Sequence, residues 1–192
     1  MPTVRPPRVV VIAASTGGPQ ALSELIPALP NPLGAGTLIV QHMPIGFTDA
    51  LAKRLDRAAH LNVREAQGGE FIEPDLALIA PGGAHLRVTP LAKAELSDEP
   101  EIGGLRPRAD LTILDAARVF GERTVLVVLT GMGNDGVEGA AAVRKRGGRV
   151  IVEAESSCTV YGMPRAVVEA QLADTELPLA QLADAITAAA VA

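Results

Sequence analysis

Tryptophan is absent from this 192-residue chain, and aromatic residues make up only 2% of it, with three phenylalanines and Tyr161. The core must therefore be built from Val, Leu, Ile and Ala. That favours a packed α/β architecture over an aromatic-rich binding surface. Cysteine is nearly absent too. With Cys158 alone, no internal disulfide can form, which fits a reducing, cytoplasmic setting. The apolar run from Val9 to Ala14 is too short for a signal-peptide core and far too short to span a bilayer. A basic stripe is also missing. The chain has 17 Lys and Arg against 22 Asp and Glu, a net charge of -5, which argues against nucleic acid as a partner. Arg144, Lys145 and Arg146 form the one basic cluster and read as a solvated helix C-terminus, where cations suit the helix dipole. The three histidines and the cysteine show no metal-ligand spacing, so neither metal nor cofactor is expected. The dinucleotide fingerprint and the Walker phosphate loop are both missing.

The apolar share is 48%, ordinary for a globular chain, and the length suits one domain preceded by a Pro-rich tail from Met1 to Pro7. Val9 to Ala14 is a continuous, β-branched run of the kind buried on both faces of a parallel sheet. A helical pattern through Leu22, Leu25, Ile26 and Leu29 follows and stops at Pro30-Asn-Pro32. Thr37 to His42 reads as a second strand and Thr48 to Ala59 as a second helix. The run from Phe71 to Pro90 reads as a hairpin turning at Pro81-Gly-Gly83, and Leu91 to Arg108 as loop. Beyond it, Leu111 to Phe120 reads as helix, Thr124 to Thr130 as strand, Asp135 to Arg146 as helix and Arg149 to Val152 as strand. Met163 to Ala170 and Leu179 to Ala190 close the chain as helices. The expected fold class is α/β: a doubly wound, mostly parallel sheet flanked by helices, with an antiparallel hairpin.

Ligands of doubly wound sheets sit outside the carboxyl ends of the strands. Ser15, His42 and the Gly131-Met-Gly-Asn-Asp-Gly136 segment all fall at such ends. Ser15 lies in Ala14-Ser-Thr-Gly-Gly18, a strand-to-helix turn rich in backbone N–H groups, with a helix N-terminus behind it. Taken alone, this loop is compatible with a helix-capping serine, a phosphate site or a nucleophile. His42 ends a hydrophobic strand one crossover unit later, where a neutral imidazole can take a hydroxyl proton and return it to a leaving group. Asp135 reads either as a turn or capping residue or as the carboxylate that orients such a histidine. The chain order Ser–His–Asp matches none of the three common triad orders, and G-x-S-x-G is absent. In a triad, the Ser15 hydroxyl should lie near one ring nitrogen of His42, with Asp135 at the other. His60 is expected on the surface at a helix end. His85, in the expected hairpin, is a weak candidate for the site, and Cys158 reads as a small buried hydrophobe.

Five blocks carry a family resemblance: Ala14-Ser-Thr-Gly-Gly18, Gln41-His-Met-Pro44, Ile79-Ala-Pro-Gly82 with His85-Leu86, Leu129-Thr-Gly-Met-Gly133 with Asp135-Gly136, and Tyr161-Gly-Met-Pro164. In this order they resemble the catalytic domain of CheB, the protein-glutamate methylesterases of bacterial chemotaxis. The resemblance covers nearly the whole chain. It implies Ser15 as nucleophile, His42 as general base and acid, Asp135 as the orienting carboxylate, and the backbone N–H groups of Thr16 and Met132 as oxyanion donors. It implies hydrolysis of glutamate γ-methyl esters, deamidation of glutamines by the same acyl chemistry, and the methylated cytoplasmic helices of chemoreceptors as partners. A monomer, without membrane insertion, is expected. Two departures stand out. Only about eight residues precede the first expected strand, so no receiver domain is expected, and with it activity that needs no phosphoryl donor. The family's His-Arg-Pro-Ser-Val-Asp-like stretch reads Leu105-Arg-Pro-Arg-Ala-Asp110 here, which leaves the triad intact and opens the substrate to question. The alternatives are an esterase or deamidase of the same chemistry acting outside chemotaxis, and a non-catalytic module binding anions at the glycine loop.

Overall fold

Every residue from Val9 to Ala14 has no solvent exposure. A run so uniformly apolar can be satisfied only as a strand covered on both faces, and the computed structural model, which describes residues 8–191, places it at the centre of a parallel sheet. The Pro-rich tail lies outside the described residues. The elements, in order, are β1 (Arg8–Ala14), α1 (Gly18–Ala28), β2 (Ala35–Gln41), α2 (Thr48–Ala58), β3 (Asn62–Glu65), β4 (Leu76–Ile79), β5 (His85–Val88), β6 (Ala94–Ser97), α3 (Ala109–Phe120), β7 (Thr124–Val128), α4 (Val137–Lys145), β8 (Arg149–Glu153), α5 (Met163–Glu169), β9 (Thr175–Leu177) and α6 (Leu179–Val191).

Seven strands pair in the order β3-β4-β2-β1-β7-β8-β9, each neighbouring pair parallel. Alternate residues of β1 feed two cores. Val10, Ile12 and Ala14 pack with α1, α2 and α6 on one face. Val9, Val11 and Ala13 pack with α3, α4, α5 and the β5–β6 hairpin on the other. The doubly wound α/β class read from the sequence is therefore the observed one.

The hairpin is displaced from its expected place. Leu76 to Ile79, the first half of the expected hairpin, is instead a parallel strand of the main sheet beside β2. Pro81-Gly-Gly83 is a connection leading out of that sheet. The antiparallel pair is β5 with β6, Val88 opposite Ala94, so the region expected to be loop contains a strand. The cause is burial. Ala77 to Ile79 are at most 1% exposed, and the central sheet offered them more cover than a two-stranded ribbon could.

Sheet register sets up the site. Ala14 pairs with Gln41, so the residues that follow, Ser15 and His42, leave the sheet at one level. β7 flanks β1 on its other side, and Leu129 N–H continues the ladder to Ala13 O at 2.9 Å.

Candidate active site

Three neighbouring strands deliver the candidate residues to the carboxyl rim of the sheet. Ser15 follows β1, His42 follows β2, and Asp135 lies on the loop between β7 and α4. β1 sits between the other two strands. Contact between His42 and Asp135 therefore spans the end of the strand that carries Ser15.

That contact is present. His42 Nε2 lies 2.6 Å from Asp135 Oδ2, with the side chains 7% and 1% exposed. An ionised carboxylate only accepts, so the Nε2 proton is donated to it and Nδ1 keeps its lone pair. The ring is thus turned opposite to the usual Ser-His-Asp template, in which Nδ1 faces the carboxylate. Ser15 is brought beside the pair through the backbone: His42 N–H donates to Ala14 O (3.0 Å) and Ser15 N–H to Thr130 O (3.0 Å). No hydrogen bond joins the Ser15 hydroxyl to the imidazole.

Asp135 is held more tightly than a turn residue needs. Its carboxylate accepts the N–H groups of Ala109 (2.7 Å) and Asp110 (2.8 Å), the first two residues of α3. It thereby takes the place of a side-chain cap and sits at the positive end of that helix. Burial pushes its carboxyl up, but the hydrogen bonds from His42, Ala109 and Asp110 outweigh this and hold it below the usual carboxylate range.

The Ser15 turn is built from glycine and neighbouring carbonyls. Gly17, with φ +83°, takes the left-handed backbone that starts α1. Gly131 lets the β7 loop approach: a Cβ there would stand 2.8 Å from the Ser15 Cβ and 2.5 Å from Met163 Sδ. Thr130 locks the loop, its hydroxyl donating to Thr16 O (2.9 Å) and accepting Val160 N–H (2.9 Å). Among the described residues, the N–H groups of Thr16 and Met132 donate to no protein acceptor.

Sequence reasoning passed over three participants. Gln41, 1% exposed, donates its amide to both Ser15 O (2.9 Å) and His42 O (3.0 Å), tying the two turns together. Its Oε1 is buried without a partner. Asp110 accepts the N–H groups of Gly136 (3.0 Å) and Gly139 (2.8 Å) at the start of α4. Arg108 lies against both Asp110 and Asp135. A polar residue at the end of a strand, or in the first turn of a helix, was the available signal for Gln41 and Asp110.

His85 is fully buried and one step removed: its Nδ1 accepts Arg108 N–H (3.1 Å), and Nε2 meets Pro100 O (3.1 Å). It supports the 100–108 segment and does not reach Ser15, His42 or Asp135. His60 is exposed. Cys158 is half-buried, and burial together with nearby Glu153 pushes its thiol up to about 12, which leaves it inert as a nucleophile.

A cleft of about 310 Å3 opens beside the imidazole, lined by His42, Met43, Pro44, Glu101, Arg106 and Pro107 among others. Ile45 and Met132, 75% and 72% exposed, follow β2 and β7. A larger cleft of about 500 Å3 sits elsewhere, along the hairpin, where Arg87 and Arg118 are ion-paired to Asp115; its lining includes none of Ser15, His42 and Asp135. No group of acidic, His and Cys side chains suited to a metal ion occurs among the described residues.

The family model described as CheB methylesterase matches residues 10–186. The chain belongs to the CheB methylesterase family. Its fold superposes on the crystal structure of the Thermotoga maritima CheB methylesterase catalytic domain with a TM-score of 0.92, at 42% identity, covering 95% of this chain and 98% of that one. A protein-glutamate methylesterase/protein-glutamine glutaminase of Symbiobacterium thermophilum is 50% identical over 184 residues, 96% of this chain and 51% of the relative. One of the same name from Pyrococcus horikoshii is 44% identical over 191 residues, 98% of this chain and 52% of the relative. The chain thus spans about half the length of the curated CheB relatives it matches.

Proposed function

We propose that this chain is the catalytic unit of a protein-glutamate methylesterase, acting on γ-methyl esters of glutamates in chemoreceptor helices and on particular glutamines of the same substrates. The observation that carries the reading is the His42–Asp135 pair, at 2.6 Å, lying beside a serine on a glycine turn. A non-catalytic anion-binding loop has no use for a buried carboxylate holding an imidazole.

In this reading Ser15 Oγ attacks the ester carbonyl while His42 Nδ1 takes its proton. The charge that develops on Asp135-bound imidazolium is offset by the carboxylate, and the oxyanion is received by the N–H groups of Thr16 and Met132. Collapse of the tetrahedral species expels methanol, or ammonia from a glutamine, with the proton returned from His42. Water then enters, gives its proton to His42, and attacks the acyl-serine; breakdown of the second tetrahedral species frees the glutamate and restores the Ser15 hydroxyl. The cytoplasm is the compartment where receptor methylation helices would meet the enzyme. Among the described residues no helix is long and apolar enough to cross a membrane.

Methanol release from methylated receptor fragments tests the reading. Wild-type chain should release methanol and Ser15→Ala should lose activity on the order of 10⁴-fold or more while keeping its fold, since triad members act as a unit. Substantial release by Ser15→Ala would overturn it.

A further inference from the structure

We propose that Arg108 is a positioning residue: its guanidinium keeps the Asp110–Asp135 pair doubly ionised, so that Asp135 faces His42 as a charged acceptor. The proposal rests on the assignment of Asp135 as the carboxylate that orients His42.

Arg108 immediately precedes α3 in extended backbone (φ -111°, ψ 125°), which turns its side chain back across the helix start. Nη2 lies 2.9 Å from Asp110 Oδ2, and Nε 3.4 Å from Asp135 Oδ1. The three side chains are 14%, 4% and 1% exposed, so water does little to screen them. Among the described residues, no other Lys or Arg is ion-paired to either carboxylate. The rest of the surroundings is accounted for. His42 comes from the end of β2, His85 from β5 with its Nδ1 on the Arg108 N–H, and α4 presents only the N–H groups of Gly136 and Gly139.

Two carboxylates sharing a buried site without a cation cannot both stay ionised; one proton settles on the pair. Burial already pushes Asp110 up to about 6, the hydrogen bond from Gly139 opposing, Asp135's charge adding, and Arg108 countering. Remove the guanidinium and both carboxyls rise. A proton shared with Asp135 on the Oδ1 side removes its negative charge, so Oδ2 holds the Nε2 proton of His42 by a weaker, uncharged hydrogen bond and no longer offsets an imidazolium. Arg108 does not touch the reacting atoms; it acts through Asp135.

The test is the pH profile of kcat/KM for methanol release by the full chain, with circular dichroism on each variant. Arg108→Gln should move the acid limb upward, by about one pH unit or more given the effect of an opposite charge at this range. Well above the limb its rate should return to within several-fold of wild type. Adding Asp110→Asn should bring the limb back down, because a single carboxylate needs no counter-charge. A loss of rate equal at every pH, with the limb unmoved, would overturn the proposal. Should Arg108→Gln fail to fold, Asp110→Asn and Asp110→Asn/Arg108→Gln are compared; a displaced limb in the double variant means Arg108 acts by another route and overturns the proposal. Activity in Ser15→Ala would instead refute the triad reading itself, so the two failures are separable.

Discussion

Asp110 and Asp135 close each other's helices. Asp135, just ahead of α4, accepts the first two N–H groups of α3, while Asp110, in the first turn of α3, accepts Gly136 and Gly139 N–H at the start of α4. Neither helix has a side-chain cap from its own N-cap residue. The exchange fixes the two helix starts against one another, and the carboxylate facing His42 is half of it. In the proposed mechanism, structural and chemical roles therefore fall on the same atoms.

Asp135→Asn should damage both. The amide preserves shape but offers a donor where the imidazole N–H needs an acceptor, so the ring tautomer is no longer held. A fall in kcat on the order of 10⁴ is expected by analogy with the template triad. Stability should drop as well, by about 1–3 kcal/mol for the charge-assisted bonds at the start of α3. Hydrolysis and urea titration of the same preparation measure the two effects.

Asp110 carries a stability signature with a definite sign. Its folded value, about 6, lies above the ordinary carboxylate range, so the folded chain holds a proton that the unfolded chain releases. Stability rises with pH only where the unfolded state binds more protons. The contribution is thus fully present below the ordinary range and is lost as pH rises through about 6. Compared with Asp110→Asn, wild type should lose relative stability from about pH 4 to about pH 6. Asp135, held low, acts in the opposite sense, with its contribution lost at strongly acid pH. Denaturation midpoints across pH 3–8 for wild type and variant check the sign.

Gln41→Leu keeps the volume and removes the amide that holds Ser15 O and His42 O. A buried hydrogen-bonded amide of this kind is worth about 1–3 kcal/mol, and its loss frees two turns that must stay in register. The expected result is a kcat reduced by about one to two orders of magnitude, in keeping with the cost of small misplacements, with KM changed less. Steady-state kinetics with crystallography of the variant would show whether the turns separate.

Gly131→Ala inserts a methyl where only 2.5–2.8 Å is available to Met163 Sδ and the Ser15 Cβ. Either the β7 loop or the Ser15 turn must move, and Met132 N–H moves with the loop. A loss of about 10²-fold in kcat is expected, comparable to removing an oxyanion donor. Little change in rate would show that the Met132 N–H is dispensable.

Much of this site was legible because its residues end uninterrupted apolar runs. Ser15 and His42 close strands whose burial is complete, and Asp135 follows the β-branched run of β7. What escaped lies in contacts across distant sequence. Nothing in Leu105 to Asp110 reveals that α3 begins against the loop after β7, so the sequence reads Arg108 as the end of a loop and Asp110 as part of a stretch that bears on the substrate. Strand β3, Asn62 to Glu65, has one buried residue at a sheet edge, and β9 is three residues long. Both depend on the neighbouring strand rather than on their own pattern. The hairpin was misplaced because Pro81-Gly-Gly83 has turn chemistry, yet serves a crossover exit.

Along the chain the order is Ser15, His42, Asp135; across the sheet it is His42, Ser15, Asp135. The difference records only the direction of winding. From β1, in the middle of the sheet, the chain travels out one way through β2 and returns to the other side at β7. The chemistry depends on the rim, where neighbours in space meet, and not on which neighbour was threaded first. Any other route that left a hydroxyl, an imidazole and a carboxylate on the ends of three adjacent parallel strands could carry the same chemistry. A linear motif search is blind to that equivalence, since it reads the itinerary and not the destination.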